Sequence, residues 1–243
     1  MSIATNSPHM TVEFDFSDRI AVVTGSCGAL GSAVVNAFVE SGATVAACDI
    51  VDIDSEESLL ESGEAISFYQ ADFTDEDAVT ETIDQVVEDH GRIDFLLNIA
   101  GTWRGGDPIE ETDISQFDML FDVNLKTMFL ASKHAIPALK DTAGSIVSVS
   151  ARSGLEGGAG DGIYRSTKAG VRILTETIAE ENLGAVRANC VMPSVLDTPM
   201  NREMMDHSES WVKPAQVAEV MQFLCSDAAE VTSGAAVPVY GEA

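Results

Sequence analysis

The sequence predicts an α/β fold in which a doubly wound parallel sheet carries helices on both faces within a single domain. Short apolar runs alternate along the chain with segments whose apolar residues recur at helical spacing. This alternation is typical of β–α–β units, whose parallel strands are buried on both faces. No internal repeat interrupts the pattern, and 243 residues are enough to bury one core.

Seven apolar runs are predicted to be strands, and five segments are predicted to be helices. The predicted strands cover residues 19–24, 44–48, 65–69, 93–97, 145–149, 186–192 and 236–239. The predicted helices cover residues 32–39, 75–90, about 114–139, the segment around Tyr164, and 214–224. We expect a surface helix or loop over residues 52–61 and a polar leader or tag over residues 1–13, with the domain spanning 14–243.

The charge balance excludes two classes of partner. The chain carries 40 Asp and Glu residues against 13 Lys and Arg residues, which gives a formal net charge of −27 at pH 7. A field of this sign repels nucleic acid and anionic membranes, so we expect neither as a partner. We interpret the scattered acidic residues as a solvated surface adapted to molar salt, with an unusually acidic protein of ordinary salt conditions as the alternative.

The cysteine pattern indicates a reduced, cytoplasmic protein. Cys27, Cys48, Cys190 and Cys225 are widely spaced, and the chain has no Cys-x-x-Cys motif and no histidine cluster. We therefore expect neither a metal site nor a disulfide framework. No apolar run approaches the length of a membrane span, and no signal peptide is recognisable.

Glycines follow the first predicted strand where a helix begins. The pattern is Thr24-Gly25-x-x-x-Ala29-x-Gly31. It allows the backbone to approach a pyrophosphate at the helix N-terminus, where free N–H groups and the helix dipole attract anions. A tight structural turn is the alternative, but the strand before and the helix after favour nucleotide binding.

Acidic residues follow the second and third predicted strands. Asp49 is placed to accept hydrogen bonds from both ribose hydroxyls of an adenine nucleotide. A 2′-phosphate would need a nearby cation, and no basic residue lies between Arg19 and Arg92, so the pattern favours NAD over NADP. Asp72 is placed to meet the adenine, although an Asx turn leading into Thr74 is an alternative role.

Tyr164 and Lys168 are four residues apart in a predicted helix, so their side chains share one helix face. A nearby ammonium favours the phenolate and lowers the pKa of a tyrosine. Such a tyrosine can exchange a proton with a reacting oxygen near neutral pH. The half-exposed edge of a structural helix is the alternative, which the other motifs disfavour.

These motifs occur together in an order that resembles the short-chain dehydrogenase/reductase family. The resemblance extends from about Phe16 to Tyr240. It rests on the glycine pattern and on Asp72, Asn98-x-Ala100-Gly101, Asn124 and Tyr164-x-x-x-Lys168. It implies a Rossmann-like fold, a nicotinamide cofactor, hydride transfer at a carbonyl or alcohol carbon, and usually a homotetramer or homodimer.

The resemblance also implies roles for individual residues. Tyr164 corresponds to the catalytic acid and base, Lys168 to the residue that lowers its pKa, and Asn124 to the anchor of a proton-relay water. Lys168 also corresponds to a contact of the nicotinamide ribose, and Val195 and Thr198 to contacts of the carboxamide. The residues implied in NAD binding are Gly25, Ser26, Cys27, Leu30, Gly31, Asp49, Asp72, Phe73, Asn98, Ala100, Gly101, Tyr164, Lys168, Val195 and Thr198.

Three residues depart from the family pattern. Ile99 stands in place of an asparagine, Ser194 in place of a glycine, and Ala151 in place of the catalytic serine. The last departure matters most, because that serine hydrogen-bonds the substrate oxygen as charge develops. Removing one such donor costs on the order of 3 kcal/mol.

Two neighbouring residues are candidate substitutes for the missing hydroxyl. Ser150 stands one residue early and points to the opposite face of an extended chain, so it needs a local shift to act as a catalytic residue. Ser153 shares the parity of Ala151 and can serve if the chain stays extended. The remaining alternative is a reaction that needs no serine.

A second resemblance, to the dihydropteridine reductases of the same superfamily, supports a reaction without serine. It covers residues 100–106, the surroundings of Ala151, and residues 196–202, followed by Trp211. Those enzymes lack the serine and prefer NADH, and their quinonoid pterin is easily reduced. Trp103 is a candidate for stacking on such a ring, or for packing a loop against the core. Asn124 instead matches the carbonyl-reducing branch.

The expected function is NAD(H)-dependent hydride transfer to or from a small-molecule ketone or 3-oxoacyl compound. The expected catalytic residues are Tyr164, Lys168, Asn124 and Ser150. The first alternative is the reduction of a quinonoid dihydropterin. The second is a catalytically silent regulator that binds a nucleotide.

Overall fold

Seven parallel strands form one sheet in the computed structural model, which describes residues 12–241. The strands are β1 (Ile20–Thr24), β2 (Thr44–Asp49), β3 (Ile66–Gln70), β4 (Phe95–Asn98), β5 (Ser145–Val149), β6 (Arg187–Pro193) and β7 (Ala236–Val239). Each coincides with a predicted run to within two residues, because apolar runs of this length fit a sheet covered on both faces. Except for Val12 and Glu13, the predicted leader over residues 1–13 lies outside the described residues.

The strand order is β3-β2-β1-β4-β5-β6-β7. β1 pairs with both β2 and β4, so the two halves of the fold extend to opposite sides of β1. In a doubly wound sheet, ligands bind in the crevice outside the carboxyl ends of the strands at this change of direction. The fold confirms the predicted Rossmann-like α/β class and places the glycine turn after β1 at that crevice.

Seven α-helices lie within the described residues. They are α1 (Ala29–Glu40), α2 (Glu76–His90), α3 (Ile114–Phe121), α4 (Thr127–Thr142), α5 (Gly162–Glu181), α6 (Pro199–Met204) and α7 (Pro214–Cys225). α1 and α7 pack together on one face of the sheet, and α2, α4 and α5 cover the other face. α6 is not predicted from the sequence, because one short helix leaves no apolar period.

The side chains of β1 show how both faces of the sheet are buried. Ala21 and Val23 pack into the core on the side of α1 and α7, whereas Ile20 and Val22 pack into the core on the opposite side. This alternation follows from the pleat of the strand. Burial of apolar surface stabilises a fold by about 25 cal/mol per Å². The burial of β1 on both faces therefore helps to hold this strand in place, and with it the loops that start at its carboxyl end.

A π-helical turn over Asp122–Lys126 joins α3 to α4. The sequence predicts helix throughout this region, but in the structure the N–H of Thr127 donates to the carbonyl of Asp122, five residues earlier. Wider turns of this kind are rare and occur mostly at functional sites. This turn contains Asn124, and it changes the direction in which that side chain leaves the helix.

At the amino end of the sheet, the carboxylate of Asp94 is almost completely buried. It accepts hydrogen bonds from Nη1 of Arg19 at 2.8 Å and from the N–H of Ile20 at 2.9 Å. Arg92 donates to the same carboxylate from Nε at 2.9 Å and from Nη2 at 2.6 Å. The cluster joins the start of β1 to the start of β4, and it borders a cavity of about 760 Å³.

Three further observations concern the part of the chain between residues 12 and 241. Its helices are all too short or too polar to cross a membrane. All four cysteines are buried and free. No group of three or more His, Cys, Asp or Glu side chains there could hold a metal ion.

Candidate active site

The glycine turn after β1 packs too closely for any side chain. Gly25 has a φ of +68°, and a Cβ there would stand 2.8 Å from the backbone of Ala100. A Cβ on Gly31 would stand 1.9 Å from the carbonyl oxygen of Gly25. Only glycine at both positions allows the turn, α1 and the end of β4 to meet.

The N-terminus of α1 is open at this turn. The first intrahelical hydrogen bond runs from the N–H of Ser32 to the carbonyl of Gly28 at 2.8 Å. The N–H groups of the preceding helical residues therefore have no acceptor within the helix. Gly28 is the N-cap and has no side chain to satisfy them, and a Cβ there would meet little but open space. This cradle fits the pyrophosphate of a dinucleotide, because it offers free donors and the positive end of a dipole.

The carboxylate of Asp49 lies beside the glycine turn, at the end of β2. Its Oδ2 accepts the N–H of Cys27 at 2.8 Å, and its Oδ1 accepts the N–H of Val51 at 3.0 Å. A carboxylate has about four lone-pair sites, so acceptors remain for two ribose hydroxyls. These backbone contacts fix the orientation of the carboxylate before any ligand binds.

Four other predicted cofactor residues have structural surroundings of their own. Asp72 is exposed, and its carboxylate accepts hydrogen bonds from the N–H and the hydroxyl of Thr74. These two bonds form the Asx turn that the sequence analysis gives as the alternative role of Asp72. Phe73 and Leu30 are buried in the two cores, one on each face of the sheet. Ser26 is fully buried, and its N–H donates to the carbonyl of Cys48. Within the described residues, these side chains therefore pack in the protein interior or form a local turn.

The segment after β4 is held from both sides. The Nδ2 of Asn98 donates to the hydroxyls of Ser132 and Ser148, at 3.2 Å in each case. The hydroxyl oxygen of Thr24 accepts the N–H groups of Ile99 and Ala100 at 3.1 and 3.2 Å. These bonds hold the ends of β1, β4 and β5 in register where the crevice opens.

Tyr164 and Lys168 lie one turn apart on α5, as predicted. The Nζ of Lys168 donates to the carbonyl of Val149 at 3.0 Å and lies 5.9 Å from the centre of the Tyr164 ring. Burial lowers the pKa of Lys168 to about 8. Burial also raises the pKa of Tyr164 to about 12, and the negative charge of Asp161 adds to the rise. The lowered tyrosine pKa expected from sequence is not found, because desolvation of the phenolate outweighs the ammonium at this distance.

Asn124 reaches the same space from the π-helical turn. Its Oδ1 accepts the N–H of Thr102 at 2.8 Å, and its Nδ2 donates to the carbonyl of Thr102 at 3.0 Å. A Cβ on Gly101 would stand 2.8 Å from Oδ1 of Asn124 and 3.1 Å from Nζ of Lys168. The structure therefore brings Asn124, Gly101 and Lys168 around one small space at the carboxyl end of β4.

The structure does not bring the hydroxyl of Ser150 to this space. Ser150 is buried, its N–H continues the ladder to Val191, and its hydroxyl donates to the carbonyl of Lys168 at 2.7 Å. Ser153 could replace the missing serine only if the chain stayed extended after Ala151. Residues 152–155 instead form a 3₁₀ turn, so this expectation is not met. Ala151 is itself extended, with φ −157° and ψ 154°, so its methyl group points away from the face that Ser150 occupies.

Val195 and Thr198 lie on the segment that follows β6. The carbonyl of Val195 accepts the N–H of Val212 at 2.9 Å, which ties both ends of the segment together. The hydroxyl of Thr198 caps α6 by accepting the N–H of Asn201 at 3.3 Å. Met200, on α6, is largely exposed.

Two residues that the sequence prediction missed belong to this site. Thr102 holds Asn124 through its backbone, and no sequence signal could have indicated that contact because it depends on the π-helical turn. Asp161 acts on the pKa of Tyr164. Its four-residue spacing from Arg165, with which it forms an ion pair, was the signal available in the sequence.

Comparison with known proteins identifies the family of this chain. Residues 19–209 match the family described as short chain dehydrogenase, and the chain therefore belongs to the short-chain dehydrogenase family. The chain is accordingly an oxidoreductase, and the cofactor of its family is a nicotinamide dinucleotide, NAD or NADP.

Individual relatives agree with this assignment along nearly the whole chain. The 3-oxoacyl-(acyl-carrier-protein) reductase of Thermotoga maritima is 32% identical over 239 residues, 92% of this chain and 96% of the relative. The meso-2,3-butanediol dehydrogenase of Serratia marcescens is 34% identical over 241 residues, 94% of this chain and 95% of the relative.

Solved structures show the same architecture. A short-chain dehydrogenase/reductase from Brucella melitensis, described as a glucose/ribitol dehydrogenase, superposes with a TM-score of 0.86 at 30% identity, covering 95% of this chain and 98% of its own. The structure described as ElxO with NADP bound has a TM-score of 0.83 at 26% identity, covering 92% and 97%.

Proposed function

We propose that this protein is an NAD(H)-dependent oxidoreductase that moves hydride between the nicotinamide and a carbonyl or alcohol carbon. The observation that carries the proposal is the meeting of Lys168, Asn124 and Gly101 beside Tyr164, at the crevice that the glycine turn opens. When bound, the nicotinamide supplies or accepts the hydride. A general acid and base must then supply or remove one proton at the substrate oxygen.

Tyr164 is the proposed proton donor and acceptor. A phenol whose pKa lies near 12 donates readily to an alkoxide, because the proton transfer is then not uphill. In the reverse direction, the phenolate must be stabilised, and the ammonium of Lys168 lies 5.9 Å from the centre of the ring. Asn124 holds the backbone of Thr102 and so fixes the loop that borders the reacting groups.

The preference for NAD is proposed from Asp49 and its surroundings. The carboxylate is oriented by Cys27 and Val51 and has acceptors left for the 2′- and 3′-hydroxyls of a ribose. A 2′-phosphate there would meet a negative charge, and no basic residue between Arg19 and Arg92 could offset it. The reduced, cytoplasmic setting proposed for the protein agrees with its four free cysteines.

The proposed substrate is a ketone or 3-oxoacyl compound. Two relatives above 30% identity are named for the reduction of a 3-oxoacyl group and the oxidation of a diol, and both reactions interconvert a ketone and a secondary alcohol. A quinonoid dihydropterin is the second candidate, and a specific observation favours it. Ala151 provides no hydroxyl, and the hydroxyl of Ser150 is engaged with Lys168. A substrate that develops little oxyanion character needs no donor at that position.

The experiment that tests the proposal offers both substrates side by side. NADH oxidation is followed in molar KCl, since the net charge of −27 favours a protein that is stable at high salt. Turnover of a 3-oxoacyl thioester alone supports the first candidate, and turnover of the pterin alone supports the second. Tight NADH binding without turnover of either would contradict both and favour a nucleotide-binding regulator.

A homo-oligomer is proposed from an exposed apolar face. Phe117 on α3, Phe129 on α4 and Ile173 on α5 are each exposed by more than a third. Phe129 lines a shallow groove of about 260 Å³ together with Phe121, Leu125 and Leu174, and Phe117 stacks on Phe121. Apolar patches of this kind are typical of subunit contacts. Light scattering in molar KCl tests the proposed homo-oligomer. A protein that is monomeric at every concentration measured would contradict it.

A further inference from the structure

Three residues form a row just beyond the carboxyl ends of three neighbouring strands. The register pairs Val149 of β5 with Val191 of β6, and Val191 with Val237 of β7. Three residues further along the chain from each of these stand Arg152, Ser194 and Tyr240. The row therefore lies at the end of the sheet that holds the proposed active site.

Direct contacts hold the row together. The ladder between β6 and β7 continues into it, because the N–H of Ser194 donates to the carbonyl of Val239 at 3.1 Å. The hydroxyl of Ser194 donates to the carbonyl of Tyr240 at 3.0 Å. The guanidinium of Arg152 stands 4.9 Å from the centre of the Tyr240 ring. The Arg152 side chain therefore reaches from the end of β5, past the end of β6, toward the residue that follows β7.

The backbone of Arg152 is fixed against the proposed active site. Arg152 directly follows Ala151, which stands in place of the catalytic serine. The N–H of Gly154 donates to the carbonyl of Ala151 at 3.0 Å and closes the 3₁₀ turn that Arg152 begins. A Cβ on Gly154 would stand 2.9 Å from the carbonyl carbon of Lys168. The turn thus packs directly on the part of α5 that carries Lys168.

Arg152 has no anionic partner among residues 12–241. More than half of the Lys and Arg side chains pair with a carboxylate within 4.0 Å, but Arg152 does not. Its side chain is exposed, and within the described residues its guanidinium makes no hydrogen bond. The Tyr240 ring attracts the cation, and the N–H donors of the guanidinium are left for a ligand.

A carboxylate is the ligand that fits this arrangement. A guanidinium carries its N–H groups in one plane and binds a carboxylate through two parallel hydrogen bonds. The net charge of −27 repels anions from the protein as a whole. An anionic substrate would therefore need a local cation at the site, and Arg152 provides an exposed one next to Ala151.

The position of Arg152 limits the substrates that can use it. The ammonium of Lys168 lies on the carbonyl of Val149, three residues before Arg152. Strand residues rise about 3.3 Å each, so the Cα atom of Arg152 lies up to about 10 Å from that of Val149. A substrate that reaches both the reacting groups and the guanidinium therefore has its carboxylate several bonds away from its ketone.

We propose that Arg152 is a specificity-determining residue that binds a carboxylate of the substrate, which is then an oxo acid or the corresponding hydroxy acid. The proposal rests on the proposed function, because it names the substrate class of the same site. Tyr240 holds the guanidinium through its ring, and Ser194 holds the backbone of Tyr240. The carboxylate takes no part in the transfer of hydride and proton.

Binding is tested first, with a probe that has a carboxylate and no ketone. The affinity for heptanoate is measured by isothermal titration calorimetry in the presence of NADH. The KCl concentration is the lowest at which the protein stays folded, because salt screens charges. Arg152→Met should weaken binding about tenfold to a hundredfold, as expected for hydrogen bonds to a charged group. Arg152→Lys keeps the charge without the planar fork and should restore only part of the affinity.

Kinetics with a matched pair of substrates follow. 6-Oxoheptanoate and its methyl ester differ in the charge of one end and share the same ketone. Arg152→Met should lower kcat/KM for the acid about tenfold to a hundredfold and change that for the ester less than about twofold. An equal fall for both compounds would contradict the proposal, because the loss would then be structural.

A control variant comes from α5. Arg172 pairs with Glu176, so Arg172→Met makes the same change in net charge at a different ion pair. It should alter neither the affinity for heptanoate nor the preference for the acid over the ester. If Arg152→Met does not fold, Tyr240→Leu takes its place. Loss of the ring should weaken heptanoate binding about threefold, since a cation–π contact at an exposed site contributes less than a bidentate pair.

The two readouts separate the two proposals. Heptanoate that binds equally well to the unmodified protein and to Arg152→Met, or that binds to neither, overturns the role of Arg152 whatever the turnover. Heptanoate binding that depends on Arg152, without turnover of either ketone, supports that role and counts against the proposed function alone.

Discussion

The two ends of the parallel sheet differ in how their charged groups are used. At the amino end, the buried carboxylate of Asp94 is shared by Arg19, Arg92 and the N–H of Ile20, beside the 760 Å³ cavity. At the carboxyl end, the ammonium of Lys168 is buried on a single carbonyl, with no carboxylate of the described residues within 4.0 Å. The cavity of about 760 Å³ thus lies at the end where the charges are paired, and the proposed active site lies at the end where a charge is not paired.

This difference separates stability from function. A buried carboxylate that accepts four hydrogen bonds contributes to folding, because its lost hydration is replaced. A buried ammonium with one acceptor opposes folding, and its pKa is lowered to about 8 for that reason. Proteins keep such unfavourable groups mostly where a reaction needs them.

Of the substitutions that alter a charge at either end of the sheet, Lys168→Met should have the largest effect. Loss of the ammonium should lower kcat/KM by about a hundredfold or more, because the phenolate of Tyr164 loses its cation. The same variant should be at least as stable as the unmodified protein at pH 7, since a desolvated charge is removed. Full turnover in this variant would contradict the claim that the unpaired ammonium at the carboxyl end of the sheet serves catalysis.

The pH dependence of stability sharpens this prediction. Between about pH 8 and pH 10.5, an unfolded lysine holds a proton that the folded Lys168 has lost. The free energy of unfolding should therefore gain a contribution that rises with pH across this window and is absent from Lys168→Met. Urea unfolding of both proteins at pH 7 and near pH 10 measures it. Equal changes in both proteins would contradict the lowered pKa.

Ala151→Ser is expected to raise turnover, whereas Lys168→Met lowers it, and the change should be smaller. The extended backbone at Ala151 directs a side chain away from the Ser150 face, so a hydroxyl there could reach a substrate oxygen. Since one such donor contributes 10²–10³ in kcat elsewhere, we expect ketone reduction to rise about tenfold to a hundredfold. Ser150→Ala is the control, and it should lower stability by about 1 kcal/mol with little change in kcat. Loss of turnover in Ser150→Ala would instead restore Ser150 as a catalytic residue.

At the amino end, Asp94→Asn should affect stability alone. The change leaves two arginines without their carboxylate and weakens the bond to Ile20, which should cost about 1–3 kcal/mol of the free energy of unfolding. Guanidinium chloride unfolding measures this loss. The kcat of the folded protein should stay the same. A fall in kcat without a fall in stability would show that the amino end takes part in the reaction.

The smallest expected effect concerns cofactor choice. Asp49→Asn should raise the KM for NADH about tenfold, which corresponds to one charge-assisted hydrogen bond, and should improve the use of NADPH. Asp72→Asn is the matched control, because that carboxylate is exposed and already bonded to Thr74. Steady-state kinetics with both cofactors test the pair. An unchanged NADH preference in Asp49→Asn would contradict the proposed role of Asp49.

The fold was predictable because its signals are local. Each strand is one apolar run, and the glycine turn and the Tyr164 helix each lie within a few residues of sequence. The site was only partly predictable, because three of its features arise only in the folded backbone. The π-helical turn aims Asn124 at Thr102, the 3₁₀ turn removes Ser153 from an extended path, and α5 takes up the hydroxyl of Ser150.

The sequence predicts a lowered pKa for Tyr164, whereas the structure indicates a raised one, and the cause is again a feature of the folded chain. The spacing of Tyr164 and Lys168 is visible in the sequence, but the burial that outweighs the ammonium is not. Likewise, Asp161 and Arg165 are visible as a spaced pair, whereas the closeness of Asp161 to the loop over residues 102–106 arises only when the chain folds.

The central claim is that Tyr164 transfers the proton at the carboxyl end of the sheet, and Tyr164→Phe tests it most directly. Turnover of the preferred substrate and the affinity for NADH, measured by fluorescence titration, are compared in the two proteins under the same salt conditions. We predict that turnover falls by about 10²–10⁴-fold, while the Kd for NADH changes little because the ring remains. Equal turnover in both proteins would contradict the proposed chemistry.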